Sequence, residues 1–119
     1  MMKPQIYGIP SCDSIRKARK WFDANNVEYT FSDVRQQCPS RAQVASWIEA
    51  VGAKALINKR STTWKNMDES ARQEVEQGDT LGVLLANPTL IKRPVLEYQG
   101  EIAVGFSADD YAQRFNTHG

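Results

Sequence analysis

Apolar and polar positions change period several times along the chain, and each change marks an element. Gln5-Ile6-Tyr7, with Ile9 beyond, reads as a short strand punctuated by Gly8 and Pro10. From Ser14 the period becomes helical: Ile15, Ala18, Trp21 and Phe22 share one face, Arg16, Lys17, Arg19 and Lys20 fill the other, and Asn25-Asn26 supplies a stop. Val27, Tyr29 and Phe31 then alternate with Glu28 and Thr30, which predicts a second strand at once. Strand, helix and strand in so short a span make a βαβ unit with parallel strands.

The middle of the chain carries only helical signals. Ser40-Arg41-Ala42-Gln43 has the form of a capping box, followed by a stripe of Val44, Trp47, Ile48 and Val51 and by Gly52 at the place of a left-handed C-cap. Ala53 to Asn58 reads as a further turn or two ending at Lys59-Arg60-Ser61-Thr62, and two short helices follow at Asp68 to Glu76 and Thr80 to Ala86. Val95 to Tyr98 and Glu101 to Val104 flank Gln99-Gly100, the pattern of a hairpin with positive φ at Gly100. Ser107 then caps a last helix, with Tyr111 and Phe115 facing inward. The sum is an α/β fold: a mixed four-stranded sheet with a helical insertion, about residues 40–87, between strands 2 and 3.

Composition narrows what such a fold does. A chain of 119 residues, 41% hydrophobic and 24% charged, suits one domain over residues 1–119 with its own core. The size gives no reason to require a dimer, so a monomer is expected. A net charge of +1 provides no global pull toward nucleic acid or anionic lipid, so any anion site must be local and no direct nucleic-acid binding is expected. No window approaches the apolar run that spans a bilayer and the first residues lack a signal-peptide core, so a cytoplasmic location is expected. There is no Cys-x-x-Cys, zinc spacing or histidine cluster; the one histidine, His118, is expected in a frayed terminus.

Chemistry concentrates at Tyr7-Gly8-Ile9-Pro10-Ser11-Cys12-Asp13-Ser14. The pattern puts Cys12 at a strand-to-helix junction, on the sheet edge where open α/β sheets bind ligands. Unpaired N–H groups at a helix start favour thiolate over thiol, which makes Cys12 a candidate nucleophile. A buried, inert cysteine is the alternative, and the polar neighbours Ser11, Asp13 and Ser14 weigh against it. Farther on, Lys92-Arg93-Pro94 opens the hairpin, a place where an X-Pro bond can be cis.

A cysteine after the first strand and a proline opening the hairpin resemble the thioredoxin and glutaredoxin architecture. More closely, Gly8 to Ser14, Lys59 to Trp64, Asn87-Pro88 with Ile91 to Val95, and Gly105-Phe106-Ser107 resemble the ArsC family in order along the whole chain. That family includes glutaredoxin-dependent arsenate reductases, Spx transcriptional regulators and small YffB-like proteins, the last matching best through Lys17 to Trp21 and Arg60 to Trp64. The resemblance implies a reactive cysteine at Cys12, a cis-proline at Pro94, and oxyanion-binding arginines at Arg60 and Arg93. The family's third arginine falls near Gly105 and is missing here; each charge-assisted hydrogen bond is worth roughly 1.5–3 kcal/mol, so its loss weakens an arsenate site. Ile15 stands where redox-switching relatives have a second cysteine.

These substitutions leave a single-thiol site flanked by two guanidinium groups, fitted to the carboxylates of glutathione as well as to arsenate. The expected activity is thiol-disulfide reduction with glutathione as co-substrate, glutaredoxin as a possible partner, and no bound cofactor or metal. Ser11 and Ser14 are expected to hold the thiolate, and Thr62, Thr63 and the backbone beside Pro94 to orient the ligand. Arg60 and Arg93 could instead be surface arginines or pair with Asp13 or Asp33. Cys38 is read as incidental, with a resolving role as its alternative. Two other functions remain: glutaredoxin-coupled arsenate reduction, and Spx-like binding to the RNA polymerase α-subunit. Gly52 lies where the family has a glycine tied to that polymerase contact, although a helix cap explains it without a partner.

Overall fold

The computed structural model describes residues 3–115, so His118 lies outside the described residues. Strands β1 (Gln5–Gly8), β2 (Thr30–Asp33), β3 (Val95–Tyr98) and β4 (Glu101–Val104) form one sheet in the order β2-β1-β3-β4. β1 runs parallel to β2 and antiparallel to β3, and β3 pairs antiparallel with β4. Helix α1 (Asp13–Ala24) joins β1 to β2, and α7 (Ala108–Phe115) follows β4. Between β2 and β3 lie α2 (Arg41–Val51), α3 (Ala53–Leu56), α4 (Thr62–Lys65), α5 (Glu69–Gln77), α6 (Thr80–Ala86) and a 3-10 turn at Pro88–Leu90. This is the mixed four-stranded sheet of the thioredoxin/glutaredoxin-like fold, with the expected helical insertion. None of the described helices is long and apolar enough to cross a membrane.

Strand alternation sorts side chains to two cores. Ile6, Leu96 and Ala103 face α1 and α7, where they bury Ala18, Phe22 and Tyr111 in a cluster completed by Trp21, Tyr29, Phe31, Tyr98, Phe106 and Phe115. Tyr7 and Val95 face the insertion, packing with Val44, Trp47, Leu56, Ile57, Trp64, Val75, Leu84, Leu90 and Ile91. Each large side chain so buried contributes roughly 1.5–3 kcal/mol.

Directional bonds tie the insertion to the sheet. The Ser40 hydroxyl accepts the Gln43 N–H and the Gln43 side-chain oxygen accepts the Ser40 N–H, both at 3.1 Å, so the capping box is formed. The same Gln43 donates through Nε2 to the Tyr7 hydroxyl (3.1 Å). Glu97 accepts from Tyr7 through Oε1 (2.9 Å) and from the Trp47 indole through Oε2 (2.6 Å). Burial, together with the Glu97 carboxylate alongside, pushes the Tyr7 phenol up to about 12.

Four local readings change. The second strand begins at Thr30, not Val27: Asn26 turns the chain at φ 56 and the Val27 N–H caps Phe22 C=O (2.9 Å). The alternation of Val27, Tyr29 and Phe31 reports their shared packing on the aromatic cluster, including a Phe22–Tyr29 stack at 4.8 Å. The turn after Gly52 ends at Leu56, and Ile57 instead forms a bridge with Ile91. Gly52 has positive φ (90°), but its ψ of 147° is extended, a region open essentially to glycine alone. The Ser61 hydroxyl starts the unforeseen α4 by accepting the Trp64 N–H. In the hairpin both Gln99 (φ 53°) and Gly100 (φ 80°) take positive φ, as a two-residue type I′ turn requires.

Candidate functional site

Gly8 ends β1 against Ile15. A Cβ there would stand 2.7 Å from Ile15 Cγ1, so the missing side chain lets Ile15 of α1 close on the strand. The chain then turns through Ile9, whose C=O accepts the Cys12 N–H (3.0 Å). Cys12 is the N-cap residue of α1, and its C=O accepts the Arg16 N–H (3.0 Å). Its thiol is free and partly exposed, and its side chain caps no N–H. Cys12 therefore stands in the helix-start position expected for it, with the sulfur accessible.

Cys12 opens on a cleft of about 540 Å³ shared with Asp13, Ser14, Ile57, Asn58, Lys59, Arg60, Lys92 and Arg93. Three parts of the chain meet there: the start of α1, the segment before α4 and the segment before β3. A short antiparallel bridge holds the last two together. Asn58 N–H donates to Leu90 C=O and Lys92 N–H to Leu56 C=O, each at 2.7 Å, around the Ile57–Ile91 pair.

Cations dominate the lining. Lys59 reaches Glu76 (3.3 Å) and lies over the Trp64 ring. Among the described residues, Arg60, Lys92 and Arg93 pair with no carboxylate. Asp13 and Asp33, the candidate acidic partners, are engaged elsewhere: Asp13 with Arg16 (3.3 Å) and Asp33 with Arg35 (3.3 Å). The Arg35 hydrogen bonds hold the Asp33 carboxyl below its ordinary value. Arg93 donates through Nη1 to Thr89 C=O (3.1 Å), while its buried Nε has no partner among the described residues.

The cleft thus unites Cys12, Ser14, Arg60 and Arg93 of the residues singled out in the sequence. The other four stand outside its lining. Ser11 is exposed; Thr62 is exposed at the start of α4; Thr63 hydrogen-bonds Thr89 through the two hydroxyls (2.9 Å). Pro94 is buried behind Arg93, the Arg93–Pro94 bond is cis as expected, and Pro94 C=O accepts the Gly105 N–H (2.9 Å). Gly105 has φ 79°, a conformation that strains any residue with a side chain. Cys38 is exposed on the β2–α2 loop, its thiol 3.7 Å from Leu85 C=O, and does not line the cleft. Lys59 and Lys92 are the lining residues that the sequence reading passed over. The signal was present as two Lys-Arg doublets, residues 59–60 and 92–93.

A thioredoxin-like sheet with one thiol at the first helix start and a cis-proline opening the hairpin defines a thioredoxin-fold protein with a one-thiol site. Comparison with known proteins then makes the relationship specific: the model of the ArsC family matches residues 7–114, and the chain belongs to that family. The solved structure of a YffB protein superposes with a TM-score of 0.86 at 35% identity, covering 93% of this chain and 97% of the other. A Haemophilus influenzae protein is 37% identical over 110 residues, 92% of this chain and 96% of its own length. The global transcriptional regulator Spx of Streptococcus pyogenes is 28% identical over 85% of this chain and 76% of its own.

Proposed function

We propose that the protein is a glutathione-dependent thiol-disulfide reductase with Cys12 as its single nucleophile. The observation that carries this reading is an accessible thiol at the N-cap of α1, opening onto a cleft lined by Lys59, Arg60, Lys92 and Arg93. The thiolate is the form that attacks disulfides, and the cationic lining suits an anionic ligand beside it. The Cys12 sulfur attacks the glutathionyl sulfur of a mixed disulfide. The Cys12–glutathione S–S bond forms, the original S–S bond breaks, and the departing thiolate takes a proton from water. A second glutathione thiolate then attacks the adduct, freeing Cys12 and leaving oxidised glutathione. Arg60 and Arg93 hold the carboxylates of the glutathionyl group, for which a guanidinium offers paired donors. Ser14, at the first turn, lies beside the reacting sulfur's end of the cleft.

Arsenate reduction is a narrower use of the same thiol. Gly105, with its positive φ, supplies no third guanidinium, which favours the disulfide over the oxyanion. Regulatory binding to a polymerase subunit draws support from the Spx relative. Gly52 adds none, since its φ of 90° accounts for a glycine there.

Intact mass measured after incubation with oxidised glutathione tests the reading. One glutathionyl adduct is expected on the wild type and on Cys38→Ser, and none on Cys12→Ser. Arsenate in excess is expected to slow the adduct only weakly. Absence of an adduct on folded wild-type protein overturns the assignment; strong protection by arsenate reverses the order of the two substrates.

A further inference from the structure

Lys92 sits in the cleft without a carboxylate partner among the described residues, and its placement is fixed from two sides. Its backbone N–H is held by Leu56 C=O at 2.7 Å. Its side-chain Cε lies 3.5 Å from the point a Cβ on Gly105 would occupy, so the aliphatic stem passes beside that glycine. The Gly105 conformation, φ 79°, disfavours a side chain there. The exposed ammonium group therefore reaches the cleft from the Gly105 side.

We infer that Lys92 is a specificity-determining residue that selects disulfides bearing a carboxylate, by pairing its ammonium with a carboxylate of the incoming ligand. The inference rests on the thiol-disulfide reading of the same cleft and goes beyond it in saying what makes one disulfide a better substrate than another. Lys59 is less free for this task, since Glu76 already engages it. Arg93 is partly committed to Thr89 C=O. Lysine differs from arginine in offering a mobile point charge on a flexible stem, which follows one carboxylate and does not require a planar, two-point oxyanion. The covalent step is unchanged: Cys12 sulfur bonds to one sulfur of the disulfide, the other leaves as thiolate and is protonated by water.

Single-turnover rates of Cys12 adduct formation test this with two disulfides, oxidised glutathione, which carries carboxylates, and 2-hydroxyethyl disulfide, which carries none. The readout is the ratio of the two rates, in which any change in thiolate content cancels. Lys92→Ala is expected to lower the ratio about two- to fivefold, the order of one exposed charge pair at a binding site. Lys92→Arg is expected to restore most of it, Lys92→Glu to lower it further, and Lys20→Ala, on the outer face of α1, to leave it as in wild type. Added salt is expected to lower the wild-type ratio more than the Lys92→Ala ratio. An unchanged ratio in Lys92→Ala, with adducts still forming, overturns the role of Lys92 and leaves the reductase reading standing. Adducts with 2-hydroxyethyl disulfide but none with glutathione in the wild type overturn the reductase reading itself.

Discussion

Each face of the sheet buries a tyrosine, and the two are held in opposite ways. Tyr111, on the α1/α7 face, meets Trp21, Phe22, Phe106 and Phe115 at ring distances of 4.9–5.9 Å, and its buried hydroxyl has no partner among the described residues. Tyr7, on the insertion face, packs on Trp47 at 5.0 Å and places its hydroxyl among Gln5, Gln43 and Glu97. One face is held by area and ring geometry; the other adds directional bonds that fix how the insertion sits. The placement of Cys12 depends on the first face, because Cys12 begins the helix that Phe22 anchors. The Arg60 side of the cleft depends on the second.

Removing a fully buried ring beneath α1 tests the contrast most severely. Phe22→Ala is expected to cost about 3–5 kcal/mol in denaturant unfolding, since Phe22 is fully buried. A loss below 1 kcal/mol would break the claim that ring packing secures α1. Glu97→Ala comes next, because it strips the acceptor from Trp47 and a hydrogen-bond partner from Tyr7. A cost of about 1–3 kcal/mol is expected, with hydrogen-exchange protection falling first in α2. Equal loss of protection in α1 would erase the distinction between the faces.

Alkaline titration sharpens it further. The folded Tyr7 phenol, near 12, lies above its unfolded value of 10.0, so the fold prefers the neutral form. The associated stability is fully present below pH 10 and is lost as pH rises toward 12. Tyr111 is also raised, chiefly by burial, so both rings contribute to the alkaline decline. Tyr7→Phe is expected to remove part of that decline, read from unfolding curves at increasing pH. It should also cost about 1 kcal/mol at neutral pH through its lost hydrogen bond. The smallest change is expected from Tyr111→Phe, neutral or stabilising by up to about 1 kcal/mol, because it deletes a buried hydroxyl without a described partner. Destabilisation comparable to Tyr7→Phe would show that the two hydroxyls are not so different.

Local chemistry explains what was readable from the chain. The capping box at Ser40, the helix start at Cys12, the hairpin at Gln99-Gly100 and α6 all depend on residues adjacent in sequence, and all are present. Arg60 and Arg93 were legible only through resemblance, since nothing in their neighbours distinguishes a cleft arginine from a solvated one. Lys59 and Lys92 were missed for the same reason. Their position follows from the pairing of Ile57 with Ile91, a long-range bridge that no helical or strand period announces. Thr62 and Thr63 stand outside the cleft lining because they belong to α4, which begins just after the cleft segment. Once Ser61 caps that turn, Thr63 faces Thr89 and Thr62 stands exposed.

The Ile57–Ile91 bridge also sets a condition on the cleft. Arg60 and Lys92 come to line one cleft only when the loop carrying α4, α5 and α6 has closed. Closing a long loop costs chain entropy before its contacts repay it. The cationic rim is thus a property of the finished topology, while the sulfur itself belongs to the first βαβ segment.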